Sequence, residues 1–369
     1  MAHWFPTVDA DGHLEENHID WKERLPDKYK SQAPERRASG NGQLRTIIEG
    51  KAWPRPSGLG IGVGGPYSRP HPRRPGMTDA KARLIDMDSE KIDVAVLFGA
   101  GLAGTLPALD DAGLAAALAT ARNTWLAEYC AADPKRIKGT AALAQQDIGA
   151  SLEELHRSVT ELGFVGASLF PNVRGRHPGD PFYFPLYAEA EQLNIPICVH
   201  MFLGRYNSDA VGTERVDKFF YSHLFGHPFE QMIALSVIIG EGVLDRFPKL
   251  RFVFLESGCG WVPYWFERMD EHYEVLGVQL PALKTEPSKL LERGQLYFSC
   301  EADEKELAHA VDVIGDDWIV FASDYSHFDS RFPGASDPIV NHPKLSDTTK
   351  RKILNDNARR LYPLDRDTP

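Results

Sequence analysis

Short apolar runs alternate with segments of helical periodicity along most of this 369-residue chain, and no other feature limits its possible folds so strongly. The apolar runs with strand character lie near residues 5, 92, 137, 165, 195, 252, 296 and 319. Strands that alternate with helices pair as parallel βαβ units, and eight such units favour a closed barrel over an open sheet. We therefore predict an α/β fold, a (β/α)8 TIM barrel in which residues 1–369 form one domain.

A long stretch without clear periodicity, residues 15–78, follows the first strand. It contains a basic, proline-rich segment at residues 68–75. Loops of this length inside a compact chain are usually functional or disordered. We predict an insertion that acts as a lid over the barrel mouth or as a subunit interface, with a surface linker as the alternative. In a lid, the candidates for binding an anion are Arg55, Arg69, Arg73 and Arg74.

Composition and charge exclude several classes of function. The chain is 43% hydrophobic and 25% charged, which is ordinary for a globular protein, and its net charge is −11. No basic stripe offsets this charge, so we expect no nucleic-acid partner, and an anionic substrate needs local arginines. We find no secretory signal before the first strand and no apolar run near the ~18 residues of a membrane span, so we expect a cytoplasmic protein without a membrane partner. The four cysteines form no CxxC pair and fit buried thiols in a reducing compartment.

Ionisable side chains stand at the ends of several predicted strands, where the active site of a TIM barrel lies. In the first strand, alternate positions share one face, so Asp9, Asp11 and His13 are expected to point the same way. A lone histidine at a strand end is more often a core residue than a ligand, but here several candidates converge on one mouth. Carboxylates and imidazoles together form a plausible site for Zn²⁺ or Mn²⁺. The strand-end candidates are Asp11, His13, His200, Glu256, Glu301 and Asp324.

Several motifs in the chain resemble one known family. They are Val-Asp-Ala-Asp-Gly-His at residues 8–13, His200, residues 242–258 ending in Glu-Ser-Gly, Phe-Ala-Ser-Asp-Tyr-Ser-His at 321–327, and the terminal segment at 353–362. Together they are similar to the amidohydrolase superfamily. More narrowly, they resemble its amidohydrolase-related branch, which includes aminocarboxymuconate semialdehyde decarboxylase and γ-resorcylate decarboxylase. The resemblance covers nearly the whole chain and is weakest over residues 15–78.

The resemblance implies one bound divalent metal ion, with Zn²⁺ as the first expectation and Mn²⁺ as the alternative. The metal ligands of the family fall on Asp11, His13, His200 and Asp324. Members with two metals use a carboxylated lysine at the end of the fourth strand, and residues 165–172 contain no lysine, which indicates a single ion. The chain departs from the family at Asp11, where many members carry histidine or glutamate. It departs again at Glu256, where the decarboxylases place a catalytic histidine.

A histidine and a glutamate in residues 226–230 could replace that missing histidine. We predict that Pro228 lies in the first turn of a helix, which places His227 beside Glu230, and a carboxylate raises the pKa of a neighbouring imidazole. Some decarboxylases of the family carry a similar His-x-x-Glu element. The alternative is helix capping by Glu230 with an incidental histidine. The predicted catalytic residues are Asp324, His227, Glu230 and Glu256, and the predicted substrate-binding residues are Arg205, Arg215, His223 and His327.

The resemblance favours a metal-dependent, non-oxidative decarboxylase of a small aromatic or unsaturated carboxylic acid, which is a C–C lyase. The alternative is a hydrolase in which Asp324 deprotonates a metal-bound water that attacks an amide, ester, lactone or activated C–C bond. A third hypothesis is an inactive barrel that serves as a binding protein, and the candidate ligands at three strand ends speak against it. Family members are often homodimers or homotetramers, so we expect a homo-oligomer.

Overall fold

The structure is a computed structural model that describes residues 5–38, 44–62, 67–68, 74–200 and 210–366. The strands are β1 (Val8–Glu15), β2 (Glu35–Ala38), β3 (Leu44–Ile48), β4 (Lys51–Trp53), β5 (Val94–Ala100), β6 (Ile137–Ala141), β7 (Gly166–Leu169), β8 (Ile197–Val199), β9 (Phe252–Phe254), β10 (Leu296–Cys300) and β11 (Ile319–Phe321). The α-helices are α1 (Trp21–Arg24), α2 (Ala80–Glu90), α3 (Leu102–Thr105), α4 (Ala112–Cys130), α5 (Ile148–Thr160), α6 (Phe184–Gln192), α7 (Phe219–Gly240), α8 (Val243–Arg246), α9 (Val262–Leu276), α10 (Leu307–Ile314), α11 (Asp337–Val340), α12 (Asp347–Arg351) and α13 (Asn357–Leu361). Short 3-10 helices lie at Asp27–Gln32, Pro75–Met77, Leu106–Ala108, Pro181–Tyr183, Thr213–Arg215, Gly277–Gln279 and Pro287–Arg293, and a π-helix lies at Lys352–Asp356.

Eight strands form one parallel sheet, in the order β1, β5, β6, β7, β8, β9, β10, β11. The sheet closes where the chain that follows β11 meets β1. There the backbone N–H of Asp324 donates to the carbonyl of Asp11 at 3.0 Å, and the N–H of His13 donates to the carbonyl of Tyr325 at 2.7 Å. This arrangement confirms the predicted (β/α)8 barrel, because consecutive strands are neighbours throughout.

Alternate residues of the barrel strands serve two separate cores. On β5, Val94, Val96 and Phe98 belong to an inner cluster that fills the barrel. Ala95 and Leu97, between them, pack in the outer cluster between strands and helices. Every barrel strand is thus buried on both faces, which explains the continuous apolar runs in the sequence. None of the helices in the described part of the chain is long and apolar enough to cross a membrane.

The inner cluster is completed from the far end of the chain. Ala358, Leu361 and Tyr362, in and just after α13, pack against the strand residues inside the barrel. The Tyr362 hydroxyl donates to the carbonyl of Ala10 at 3.1 Å. The guanidinium of Arg251, which precedes β9, donates to the carbonyl of Leu361 at 3.0 Å. The C-terminal helix therefore covers the amino ends of the strands, opposite the mouth.

The insertion after β1 contains more regular structure than its sequence indicates. Strands β2, β3 and β4 form a three-stranded antiparallel sheet. They are three to five residues long, and all four residues of β2 are exposed, so the alternation that marks a half-buried strand is missing. The insertion is anchored to α4 by an apolar cluster to which Trp21, Ile48 and Trp53 contribute.

Helix α7 begins at Phe219, nine residues before the predicted start, and Pro228 lies inside it rather than in its first turn. The prediction for this helix start was wrong. Proline removes one backbone hydrogen bond of a helix. The helix continues through it because Ser222, Gly226 and Glu230, spaced four residues apart, form a buried stripe that extends into the apolar second half.

Candidate metal centre

Side chains from four strand ends converge at the barrel mouth. Nε2 of His13 lies 2.9 Å from Oε1 of Glu256, 2.9 Å from Oδ1 of Asp324 and 3.5 Å from Oδ1 of Asp11. Nε2 of His200 lies 3.4 Å from the same Asp11 oxygen. The structure thus places the four residues that the sequence analysis named as metal ligands in two overlapping groups of donors. One group contains Asp11, His13, His200 and Glu256, and the other contains His13, Glu256, Asp324 and His327.

Asp9 does not join this group, although its spacing from Asp11 predicts that it does. A β-bulge lies between Asp9 and Gly12, so the strict alternation of the first strand is broken. The Asp9 carboxylate accepts hydrogen bonds from the backbone N–H of Ser323 at 2.8 Å and from its hydroxyl at 2.6 Å. Asp9 therefore fixes the chain immediately before Asp324 instead of supplying a ligand.

Several donor atoms of the group are buried and make no hydrogen bond within the described residues. They are both carboxylate oxygens of Asp11, Nε2 of His13, Nε2 of His200 and Oδ1 of Asp324. A buried polar atom without a partner is costly, and a buried carboxylate more so. Nitrogen and oxygen donors of this kind bind divalent ions, and a cation held by the group of Asp11, His13, His200 and Glu256 would give the unpartnered atoms of that group a partner. The residues present therefore fit a divalent metal ion.

The imidazoles and carboxylates of the group stabilise one another's charges. Burial lowers the pKa of the His13 imidazole, but the carboxylates around it outweigh burial and hold that pKa well above its usual value. Burial raises the pKa of Glu256, yet His200 and His13 hold it well below the usual range. The pKa of Asp324 is likewise lowered against the effect of burial, chiefly by His327. Glu256 and Asp324 are therefore ionised at neutral pH, and a bound cation would replace the proton that they favour on His13.

Three further histidines flank the centre. Nδ1 of His327 lies 2.7 Å from Oδ1 of Asp324, and its ring stacks on His13 with the ring centres 4.0 Å apart. Nδ1 of His227 lies 3.6 Å from Oε2 of Glu256. The ring of His223 lies 5.0 Å from that of His227. All three line the same cavity as the donor group.

The remaining predicted site residues lie elsewhere or outside the description. Glu230 is buried, and its carboxylate accepts a hydrogen bond from the backbone N–H of Val211 at 2.7 Å. Arg215 does not line the cavity: its side chain is 77% exposed and pairs with Glu214. Arg215 lies in a surface turn, and its role in substrate binding stays a prediction. Arg205, Arg69 and Arg73 lie outside the described residues.

A cavity of about 420 Å³ opens above the donor group, and the insertion supplies one of its walls. Arg36 and Arg45, from β2 and β3, line this wall together with Trp53 and Arg74. The sequence analysis named Arg74 but missed Arg36 and Arg45. The sequence shows basic residues in Glu-Arg-Arg-Ala at 35–38 and Leu-Arg-Thr at 44–46. Nothing in it indicates that these segments fold back over the barrel mouth.

A buried arginine on α2 supports the centre from behind. Arg83 donates to the carbonyl of His13 at 3.1 Å, and its guanidinium lies 3.9 Å from the centre of the Tyr325 ring. The Tyr325 hydroxyl bonds to Asp86, which also accepts two hydrogen bonds from Arg74. The sequence analysis missed this network, although the charged residues Arg83, Asp86 and Glu90, spaced to share one face of α2, were its signal.

Residues 8–364 match the Amidohydro_2 (amidohydrolase) family. The chain belongs to this family. The amidohydrolase is 28% identical over 299 residues to 2-amino-3-carboxymuconate-6-semialdehyde decarboxylase from Dictyostelium discoideum, covering 78% of this chain and 77% of the relative. It is 29% identical over 301 residues to γ-resorcylate decarboxylase from Rhizobium sp., covering 77% and 86%.

The fold of this amidohydrolase also matches that of 5-carboxyvanillate decarboxylase from Novosphingobium aromaticivorans, solved in complex with manganese and 4-hydroxy-3-methoxy-5-nitrobenzoic acid. The TM-score is 0.72 at 22% identity, covering 97% of this chain and 96% of that one. The family and its site of unpartnered donor atoms identify the chain as an enzyme with a site for a divalent metal.

Proposed function

We propose that this amidohydrolase is a metal-dependent, non-oxidative decarboxylase, a C–C lyase, of a small aromatic or unsaturated carboxylic acid. The observation that carries the proposal is the group of buried, unpartnered donor atoms at the floor of a cavity with a basic wall. The relatives named as decarboxylases support the choice of reaction. The hydrolase alternative has no such support among these relatives.

Asp11, His13, His200 and Asp324 are proposed to hold one divalent ion. When bound, the ion supplies positive charge for the oxygens of the substrate carboxylate or a neighbouring hydroxyl and stabilises the charge that develops. The sequence analysis placed Zn²⁺ before Mn²⁺. The manganese in the structure of 5-carboxyvanillate decarboxylase supports Mn²⁺ as the alternative.

The chain's own residues are proposed to manage the proton. Decarboxylation breaks the bond to the carboxylate carbon and releases CO₂, and the remaining carbon keeps the electron pair and takes a proton. His327 is proposed to hold the proton at Nδ1, which lies 2.7 Å from Oδ1 of Asp324 at the cavity floor, because the carboxylate charge favours the protonated imidazole. Delivery of that proton to the substrate carbon completes the reaction.

The cavity wall is proposed to orient the substrate. The net charge of −11 opposes an anionic ligand over the whole surface, so the arginines of the wall provide the local attraction. Arg45 is only 6% exposed, so little water competes for it. Trp53, Phe219 and Phe328 line the same cavity and offer aromatic faces to a ring.

We also propose that the enzyme is a cytoplasmic homodimer or homotetramer. The four buried, free cysteines support a reducing compartment. Helix α7 supports association, because large apolar side chains on its outer side are exposed. They are Phe220, Tyr221, Leu224, Phe229 and Ile233. Large exposed apolar side chains that are concentrated on one element favour an interaction site there.

The test is an assay of CO₂ release by enzyme reconstituted with Mn²⁺ or with Zn²⁺. The panel contains hydroxybenzoic acids and unsaturated dicarboxylic acids, with aryl esters, lactones and amides as hydrolysis substrates. We expect CO₂ and the decarboxylated product from at least one acid, and loss of both in Asp324→Asn. Hydrolysis of an ester, lactone or amide without CO₂ release from any acid would overturn the proposal.

A further inference from the structure

Glu256 stands at the centre of the donor group rather than at its edge. Its Oε1 lies 2.9 Å from Nε2 of His13, 3.5 Å from Nδ1 of His327 and 3.8 Å from Nε2 of His200. The side chain is 9% exposed. Among the described residues, two groups of four side chains have donor atoms within 4.8 Å of one another. Both groups contain Glu256 and His13.

The backbone of Glu256 adopts an unfavourable conformation. Glu256 follows β9 by two residues and has a φ of +56°, in the left-handed region that non-glycine residues rarely adopt. Asp324, three residues after β11, has a φ of +50°. Two strand ends thus carry the same unfavourable conformation, and both direct a carboxylate oxygen to within 2.9 Å of the same imidazole nitrogen.

A hydrogen bond does not account for the contact between Glu256 and His13. Nε2 of His13 has two carboxylate oxygens at 2.9 Å, yet it makes no hydrogen bond of acceptable angle within the described residues. Ligands of one ion behave in this way, because their lone pairs point at the ion and not at each other. Adjacent ligands bonded at about 2.1 Å lie roughly 3.0–3.4 Å apart, which matches the shorter separations here.

We infer that Glu256 is a further protein ligand of the metal ion, and that its carboxylate raises the affinity of the site for Mn²⁺ relative to its affinity for Zn²⁺. The inference deepens the proposed function and rests on it for the presence of the ion. In the group of Asp11, His13, His200 and Glu256, carboxylates then equal imidazoles in number. Carboxylate ligands suit Mn²⁺, whereas protein-bound Zn²⁺ usually has four ligands, often nitrogen or sulfur.

This assignment changes the role expected for Glu256. In this assignment Oε1 of Glu256 would bind the ion, while its Oε2 lies 3.6 Å from Nδ1 of His227 at the cavity wall. Glu256 is therefore a ligand and a positioning residue for His227, rather than an acid or base that takes a proton from the substrate. A carboxylate that contacts both an ion and an imidazole fixes the orientation of that imidazole.

The test measures metal binding and not turnover. Metal-free wild type, Glu256→Gln and Glu256→His are equilibrated with equimolar Mn²⁺ and Zn²⁺. Bound metal is then counted by mass spectrometry, and Mn²⁺ affinity is titrated by electron paramagnetic resonance. Glu301→Gln is the matched control, because Glu301 lines the same cavity outside the donor group. Circular dichroism confirms that each variant is folded.

Wild type and Glu301→Gln are expected to bind about one ion per chain, with the same ratio of Mn²⁺ to Zn²⁺. Glu256→Gln is expected to lose roughly tenfold or more in Mn²⁺ affinity, and Glu256→His to shift the bound metal towards Zn²⁺. An Mn²⁺ affinity within twofold of wild type in Glu256→Gln overturns the inference, as does a wild-type ratio of Mn²⁺ to Zn²⁺ in Glu256→His. If Glu256→Gln does not fold, the Glu256→His and wild-type results decide alone.

The two proposals fail in different ways. Metal binding that depends on Glu256, with no CO₂ released from any acid, leaves this inference standing and removes the proposed reaction. Decarboxylation by wild type, together with metal binding that is unchanged in Glu256→Gln, removes this inference and leaves the proposed reaction standing.

Discussion

Gly12 separates two of the donor residues and allows a buried guanidinium to approach the strand. An added Cβ at this position would overlap the guanidinium of Arg83 and would lie 2.9 Å from the Asp9 carboxylate. Arg83 cannot retreat, because it is 1% exposed and is held by the His13 carbonyl. The glycine is therefore required by packing around the centre.

We predict that Gly12→Ala lowers both metal content and stability, because Arg83 or the strand must move. The expected loss in the free energy of unfolding is about 1–3 kcal/mol, as for other overpacked sites. Metal analysis and denaturant unfolding measure the two effects. Gly149→Ala, in helix α5 with no close neighbour to its Cβ, is the control. A Gly12→Ala protein with full metal content and unchanged stability would contradict the prediction.

Single residues also show how far the sequence predicts the site. The positions of Asp11, His13, His200 and Asp324 could be predicted, because each follows or belongs to a strand whose carboxyl end faces the mouth. The position of Asp9 could not be predicted. A bulge turns it away from the metal centre, and its hydrogen-bond partner, Ser323, lies more than three hundred residues along the chain. Which side chains share one ion is likewise set by tertiary distances.

At the scale of elements, the small sheet β2–β4 and helix α7 do most to shape the cavity. Barrel strands could be predicted because they are buried on both faces and read as apolar runs. The small sheet could not be predicted, because its strands are only three to five residues long and all of β2 is exposed. The start of α7 could not be predicted either, because local rules treat proline as a helix start. The buried stripe of Ser222, Gly226 and Glu230 overrides that preference.

The small sheet gives a prediction about substrate affinity. Arg45→Gln is expected to raise the KM for an anionic substrate roughly tenfold or more, because a hydrogen bond to a charged group contributes about 1.5–3 kcal/mol. Steady-state kinetics on the best acid of the panel measure the change. Arg215→Gln, at the exposed surface, is expected to leave KM unchanged. Equal KM values in both variants would remove Arg45 from the substrate site.

The outer side of α7 gives a prediction about assembly. Leu224→Arg is expected to shift the protein towards the monomer, because it puts a charge into the exposed apolar surface, where Leu224 is 58% exposed. Sedimentation velocity or light scattering measures the mass. Val278→Arg, at a residue 91% exposed beyond α9, is the control. A Leu224→Arg protein with the wild-type mass would place the interface elsewhere.

On the scale of the whole molecule, the metal centre ties together distant parts of the chain. Its candidate donors come from β1 and from the chain after β8, β9 and β11, so an ion bound by them would bridge opposite sides of the barrel. Without it, ionised carboxylates face one another in a buried space. Binding of an ion to the folded state alone raises stability by mass action.

We therefore predict that chelation destabilises the protein and that added metal restores it. At a free metal concentration about one hundred times Kd, the gain in the free energy of unfolding is about 2.7 kcal/mol. Thermal unfolding followed across a metal titration measures the effect, and His200→Ala is expected to respond far less. An unfolding temperature independent of metal in wild type would argue against a site that spans the barrel.

The cover that α13 forms at the amino ends of the strands has a consequence for biosynthesis. Strand β1 is made first, but its partner at the closing seam is the segment around Asp324 and Tyr325, and the inner cluster still lacks Tyr362 at that point. A nascent chain on the ribosome can pair its early strands in order, yet it cannot seal the barrel until the residues around Asp324 and Tyr362 have left the exit tunnel. The early strands of this fold must therefore wait through the synthesis of more than three hundred further residues for their final neighbours.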